Sequence, residues 1–296
     1  MSYWVCTTLV GVAVALAMSC SSGSTQSQGD SGASSCDPIE VGAPRIRIAV
    51  LGDTGTGTAN QDSVAALIAS ADADSDFDAL ILLGDMIYEE GNGALVDDRV
   101  LTPYADTLDD ATQLIPVIGN HDVRMNMEEQ IMADLGASGR WYSRVLDNIL
   151  IIVLDTTRPN DAAQLAWLEA ELMAAEQRWI VAAMHHPPYS AGYHGSNHTV
   201  RDAFRSLFEQ YGVDLVLAGH DHDYQRQEVI NDITYIVSGA GAKLRAAGSR
   251  SFTEVSESVL HFVEFEFTDD VVQATAHGVD GTVDAFSICH ANSNQP

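Results

Sequence analysis

Five short polar clusters, each directly behind a β-rich run, restrict this chain more than any other feature: they call for an α/β sheet that offers its loops at one edge. The runs are Arg45–Gly52, Ala79–Gly84, Gln113–Gly119, Ile149–Asp155, Trp179–Met184 and Asp214–Ala218, with helical stretches between them. Asn160 or Asp161 caps a helix through Ala175 that carries Leu165, Leu168 and Leu172 on one face. A second helix runs from about Thr199 to Tyr211, where Val200, Phe204, Leu207, Phe208 and Tyr211 share a face and Gly212 supplies the stop. Both stripes read as core-facing surfaces. After Gly219 the helical pattern ends, and Asp232–Ser238, Val259–Phe267 and Val271–His277 read as strands. The expectation is one α/β domain over residues 44–290, with a second, mostly antiparallel sheet half packed on the first.

Charge excludes one large class of function. Acidic residues outnumber basic ones by 42 to 14, the net charge is −28, and Lys243 is the only lysine, so no basic stripe tracks a nucleic-acid backbone. Such a field also repels anionic substrates unless bound cations reverse it locally. At the amino end, Trp4 to Met18 is apolar, too short for a membrane span and of the right length for a signal peptide, although no Lys or Arg precedes it. Cys20 follows small residues and precedes a Ser/Gly/Gln-rich run, as at a lipoprotein processing site; ordinary signal cleavage is the alternative. The expected division is an export segment (1–20), a flexible tether (21–43) and the domain. The product is then an exported protein, periplasmic, held at the cell surface by lipid on Cys20, or secreted. Cys36 and Cys289 remain in the mature chain and are expected to pair.

The clusters are Gly52-Asp53-Thr54-Gly55, Gly84-Asp85-Met86-Ile87-Tyr88, Gly119-Asn120-His121-Asp122, His185-His186-Pro187-Pro188-Tyr189 and Gly219-His220-Asp221-His222. Any one alone is a turn or a helix cap. Five in series bring carboxylates, imidazoles, an amide and a phenol to one sheet edge, with no cysteine among them. That donor set suits Fe, Zn or Mn. It is able to hold two cations about 3.5–4 Å apart, as in-line displacement at phosphorus requires.

The series Asp53, Gly84-Asp85-x-x-Tyr88, Gly119-Asn120-His121-Asp122, a strand ending at His185, and Gly219-His220-x-His222 resembles the metallophosphoesterase family. Within it, the chain looks like the purple acid phosphatases of the low-molecular-weight, tartrate-resistant type. Many relatives open with Asp-x-His; here the third position is Gly55, and Tyr88 stands where the purple branch places a ferric ligand. The resemblance implies two mixed β-sheets packed together and flanked by helices. It implies Fe(III) on Asp53, Asp85, Tyr88 and His222, and a divalent ion (Fe, Zn or Mn) on Asp85, Asn120, His185 and His220, with Asp85 bridging. His185 rather than His186 is the ligand because His185-x-Pro187 matches the family's His-x-Pro. The implied activity is hydrolysis of small phosphate monoesters by metal-bound hydroxide, with His121 and His194 for substrate contact and general-acid work; His198 competes with His194 but falls near the start of a helix. Two rivals remain: a phosphodiesterase or nucleotide hydrolase on the same core, and a non-catalytic metal-binding surface lipoprotein. The full ligand set counts against the second.

Overall fold

The computed structural model describes Cys36, Ile39, Ala43 and residues 45–290. The expected export segment, with Cys20, and the tether apart from those three residues lie outside the described residues. In chain order the elements are β1 (Ile46–Leu51), α1 (Ala59–Asp74), β2 (Ala79–Leu82), β3 (Gln113–Pro116), α2 (Glu128–Asp134), β4 (Tyr142–Leu146), β5 (Ile149–Val153) and α3 (Ala162–Ala174). There follow β6 (Trp179–Ala183), α4 (His198–Tyr211), β7 (Leu215–Ala218), β8 (Tyr224–Gln227), β9 (Thr234–Ser238), β10 (Thr253–Glu257), β11 (His261–Phe267), β12 (Val271–Gly278) and β13 (Gly281–Cys289).

Two mixed sheets result, flanked by helices as expected. One has the order β13-β12-β11-β1-β2-β3 and the other β10-β8-β9-β7-β6-β5-β4. β1, β2 and β3 are parallel, as are β5, β6, β7 and β9. Their residues are buried on both faces, which is why they read as unbroken apolar runs such as Ala79–Leu82 and Ile149–Val153. One core joins residues of both sheets, including Val50, Ile81, Ile151 and Val181. Each such side chain taken fully from water contributes about 1.5–3 kcal/mol. A second core lies under α3 and α4, where Leu168, Leu172, Val200, Phe204 and Phe208 cover Leu150, Ile152 and Val216.

The helix ends follow their sequence signals. Asp161 accepts hydrogen bonds from the amides of Ala163 and Gln164 at the start of α3. Asn197 caps α4, which begins at His198, and Gly212 ends it at φ 69°. The all-β carboxy-terminal part divides differently from the expected separate half. β8, β9 and β10 join the second sheet, whereas β11 pairs antiparallel with β1 and carries β12 and β13 onto the first. The two ends of the domain thereby meet, and Cys36 and Cys289 form a disulfide with Cα atoms 5.6 Å apart. A disulfide fits an exported protein.

The β1–β11 pairing also creates a buried ionic cluster. Arg47 donates to Glu264 Oε1 at 2.6 and 2.9 Å, and His277 Nε2 lies 2.8 Å from Glu264 Oε2. Burial works to raise the Glu264 carboxyl, but the hydrogen bonds from His277 and Arg47 outweigh it and hold the group below the usual glutamate value. Because the folded pKa is the lower one, this carboxylate stabilises the fold above the ordinary glutamate range, and the contribution is lost as pH falls through the depressed value. Glu264→Gln is therefore expected to cost about 2 kcal/mol at pH 7, since it strands Arg47. Urea melts at pH 7 and near pH 3 test this: the gap between wild type and variant should close at the lower pH.

Candidate metal centre

The seven expected ligands all lie just past the carboxy-terminal ends of parallel strands, where open α/β sheets place their sites. Asp53 follows β1, Asp85 and Tyr88 follow β2, Asn120 follows β3, His185 follows β6, and His220 and His222 follow β7. β2, β3 and β6 end one or two residues before their apolar runs do, at Leu83, Ile118 and Met184, because the chain turns out of the sheet into these loops. Asp53, Asp85 and His220 take positive φ values of 59°, 51° and 71°. Asp, Asn and His tolerate this left-handed region better than other non-glycine residues, and Asn126, Asp147, Asn231 and Asp232 adopt it in turns elsewhere.

The seven side chains form two adjoining groups. In the first, the Tyr88 hydroxyl donates to Asp53 Oδ1 at 2.8 Å and lies 3.2 Å from His222 Nε2, which is itself 3.3 Å from Asp53 Oδ1. In the second, His185 Nε2 is 3.1 Å from Asn120 Oδ1, 3.2 Å from His220 Nδ1 and 3.5 Å from Asp85 Oδ1. Asp85 belongs to both neighbourhoods: ligand atoms of Asp53, Asp85 and His185 lie within 4.8 Å of one another. Gly55 and Tyr88 are coupled sterically. A Cβ on Gly55 would sit 1.7 Å from the Met86 carbonyl oxygen, and the Gly55 carbonyl accepts the Tyr88 amide at 2.9 Å. The segment that delivers Tyr88 thus occupies the space of a side chain at position 55.

The donor set fits cations. His185 Nδ1 faces the Leu83 carbonyl at 2.8 Å and donates to it; burial opposes a second proton, but the charges of Asp85 and Asp53 outweigh it and raise the group above an ordinary histidine. Its Nε2 faces the oxygens of Asn120 and Asp85 and the Nδ1 of His220, so positive charge is favoured at that point. Burial, reinforced by the neighbouring imidazoles of His185, His186 and His194, keeps His220 unprotonated, so its nitrogen also offers electrons. Lone pairs of Asn120, Asp85 and His220 converge where positive charge is favoured, and a metal ion would supply that charge. Burial and the charges of Asp53 and Asp85 push the Tyr88 phenol far up, so only a strongly charged cation at its oxygen brings it to the tyrosinate form. The adjacent His186 also offers a nitrogen within 4.8 Å of those of His185 and His220, but Thr156 Oγ1 lies 2.8 Å from its Nδ1, and burial beside His185 drives it down to about 3.

Several residues around the ligands were not assigned from sequence. Asp122 accepts the amides of Ile87 and Gly119 at 3.0 and 2.9 Å and so ties the β2 loop to the β3 loop; burial and Asp85 push it up to about 7. Asp221 accepts the amide of His194 at 2.6 Å and the hydroxyl of Ser190, which fixes the loop after β6. His194 is brought to the centre, its ring 4.3 Å from that of His220, whereas His198 is taken up by α4. His121 stands opposite: its amide donates to Asp85 Oδ1 at 2.8 Å, its ring lies 4.5 Å from the Tyr88 ring, and Arg124 Nη2 is 3.0 Å from its Nε2. Asp122 and Asp221 were visible inside the sequence clusters, but their backbone acceptor roles are long-range. Arg124 stands outside every cluster.

Residues 46–224 match the family described as calcineurin-like phosphoesterase. The chain is 30% identical over 199 residues to tartrate-resistant acid phosphatase type 5 of Homo sapiens, a match covering 55% of this chain and 61% of that protein. It is 35% identical over 115 residues to a purple acid phosphatase of Glycine max, covering 36% of this chain and 25% of that protein. The chain thus spans less than two thirds of the length of these curated relatives. Among solved structures, the purple acid phosphatase from yellow lupin (Lupinus luteus) seeds superposes with a TM-score of 0.74 at 18% identity, over 84% of this chain and 54% of that one. The inner membrane complex anchor of Plasmodium superposes with a TM-score of 0.73 at 17% identity, over 84% of this chain and 90% of that one. These two share the fold.

Proposed function

The chain belongs to the calcineurin-like phosphoesterase family, and on that premise we propose that its centre hydrolyses small phosphate monoesters as an acid phosphatase of the purple type. The observation that carries this reading is the Tyr88 hydroxyl, 2.8 Å from Asp53 and 3.2 Å from His222, on a segment whose passage excludes a side chain at Gly55. We assign Asp53, Asp85, Tyr88 and His222 to Fe(III), and Asp85, Asn120, His185 and His220 to a divalent ion, Fe, Zn or Mn. Such a pair, when bound, supplies charge for the phosphate oxygens and lowers the pKa of a coordinated water.

The protein's own groups orient and protonate. Arg124, positioned by its contact with His121 Nε2, lines one side of the centre and holds phosphate oxygens; His194, on the loop anchored by Asp221, lies beside His220 and passes a proton to the departing alkoxide. Export, and lipid attachment at Cys20, belong to this reading and rest on the amino-terminal sequence together with the disulfide.

Metal content, a visible spectrum, and hydrolysis of phenyl phosphate and a bis-aryl diester at acid and neutral pH test the proposal. The expected result is two metals including iron, a visible band lost in Tyr88→Phe, and monoester activity greatest at acid pH. Two non-iron metals, no band and a diester preference would move the chain to another branch of the family.

A further inference from the structure

A groove of about 720 Å³ opens directly beside the ligands Tyr88 and His222, with Thr58, Asn60, Lys243 and Arg245 among its walls. Lys243 and Arg245 outnumber its one carboxylate, Glu89, which is out of character with the chain. Only 14 residues are basic against 42 acidic, and the single lysine is one of these walls. Lys243 Nζ lies 3.5 Å from the centre of the Tyr88 ring and 2.8 Å from Glu89 Oε1. Arg245 has no carboxylate partner among the described residues. Its Nε is buried without a hydrogen-bond acceptor, and its guanidinium lies 4.3 Å from the centre of the Tyr193 ring. A buried donor left without an acceptor is costly, and this one lies in the wall of an open groove.

The segment bearing both cations is fixed to the metal loops. The Arg245 amide donates to the His222 carbonyl at 2.9 Å, and Asn60 Nδ2 donates to the Ala242 carbonyl at 3.1 Å. A ligand that extends from the centre past Tyr88 and His222 therefore meets a held guanidinium, with a lysine close by. We propose that this groove is a second anion subsite, anchored by Arg245 and assisted by Lys243, and that the preferred substrate is a phosphate monoester carrying a further carboxylate or phosphate. The proposal rests on reading the adjoining centre as a phosphate site. Arg245 is the anchor because Glu89 already pairs with Lys243, whereas the planar guanidinium has donors to spare for a carboxylate or phosphate.

Calorimetry on the metal-loaded full chain tests this with benzylphosphonate, its 4-carboxy derivative and p-xylylene bisphosphonate, each against wild type, Arg245→Gln and Arg245→Lys. In the wild type at least one doubly anionic probe should bind about tenfold tighter than benzylphosphonate, as one added charge-assisted contact allows. Arg245→Gln should erase that gain and Arg245→Lys should keep part of it. Doubly anionic probes that bind no tighter than benzylphosphonate would overturn the subsite, as would an Arg245→Gln variant that weakens all three equally. Phenyl phosphate turnover is followed in parallel. No turnover with the calorimetric gain intact would overturn the phosphatase reading and leave the subsite standing.

Discussion

Asp85→Asn is expected to lower phosphatase kcat/KM by about three orders of magnitude or more while leaving the fold intact. The carboxylate lies between the two ligand groups, 3.5 Å from His185 Nε2 and within 4.8 Å of the Asp53 ligand atoms, so it is the side chain placed to neutralise both cations. An amide offers one acceptor oxygen and no charge, which removes the electrostatic stabilisation on which phosphoryl transfer depends. It still accepts the His121 amide, now held at 2.8 Å by Asp85 Oδ1, so the loop after β3 keeps its anchor. Asp85 pushes the buried Asp122 upward but also raises the buried His185, so its removal takes away a repulsion and an attraction together, and the metal-stripped variant should melt close to the metal-stripped wild type. The rise in Tm on adding metal should shrink, because less binding energy is linked to the folded state. Elemental analysis, thermal melts with and without chelator, and phenyl phosphate kinetics give the three readings. A variant that retains two metals and activity within tenfold of wild type would refute the bridging role.

The ligand loops were legible because each combines two local signals: an apolar run that stops, and a glycine or polar residue that turns the chain. The caps of α3 and α4 were legible for the same reason, since Asp161 and Gly212 act within one turn of their own position. Sheet membership was not. β11 pairs with β1 across more than two hundred residues, and no periodicity within Val259–Phe267 distinguishes that neighbour from a strand of the second sheet. β4, β8, β10 and β13 carry no clear strand signal, because polar residues interrupt their few apolar ones, as in Thr253–Glu257. The apolar signal runs past the ladder to Gly84 and Asp155, because residues beyond the last strand position stay buried. Arg124 and Arg245 lacked any pattern: each is one cation in a loop, and only tertiary structure gives it a neighbour.

The two histidines beside the centre were assigned from sequence to the same pair of tasks, and their hydrogen bonds separate them. His121 Nδ1 lies 2.7 Å from the Glu89 carbonyl and must donate to it; Arg124 Nη2, which has only protons to offer, lies 3.0 Å from Nε2. Both ring nitrogens are thereby engaged, and the ring holds Arg124 in place. His194 makes no hydrogen bond through its ring among the described residues; only its amide is engaged, by Asp221. Burial lowers its proton affinity below that of an ordinary histidine, outweighing the attraction of Asp221. A cation on the neighbouring His220 acts in the same direction. His194 thus releases a proton readily and holds one only at acid pH. Activity that needs the protonated form should fall as pH rises through a value below the usual histidine range of about 6.5. His194→Ala is expected to reduce kcat for an alkyl phosphate about 10²–10⁴-fold, the usual contribution of a general acid. For p-nitrophenyl phosphate, whose leaving group needs no proton, the reduction should be far smaller, and the alkaline limb of the alkyl phosphate profile should flatten. His121→Ala should instead raise KM with either ester, since it frees Arg124, which holds the phosphate, to move. If His121→Ala shows the leaving-group dependence and His194→Ala does not, the roles are reversed, and the proton comes from the side of the centre lined by Tyr88 and Arg124.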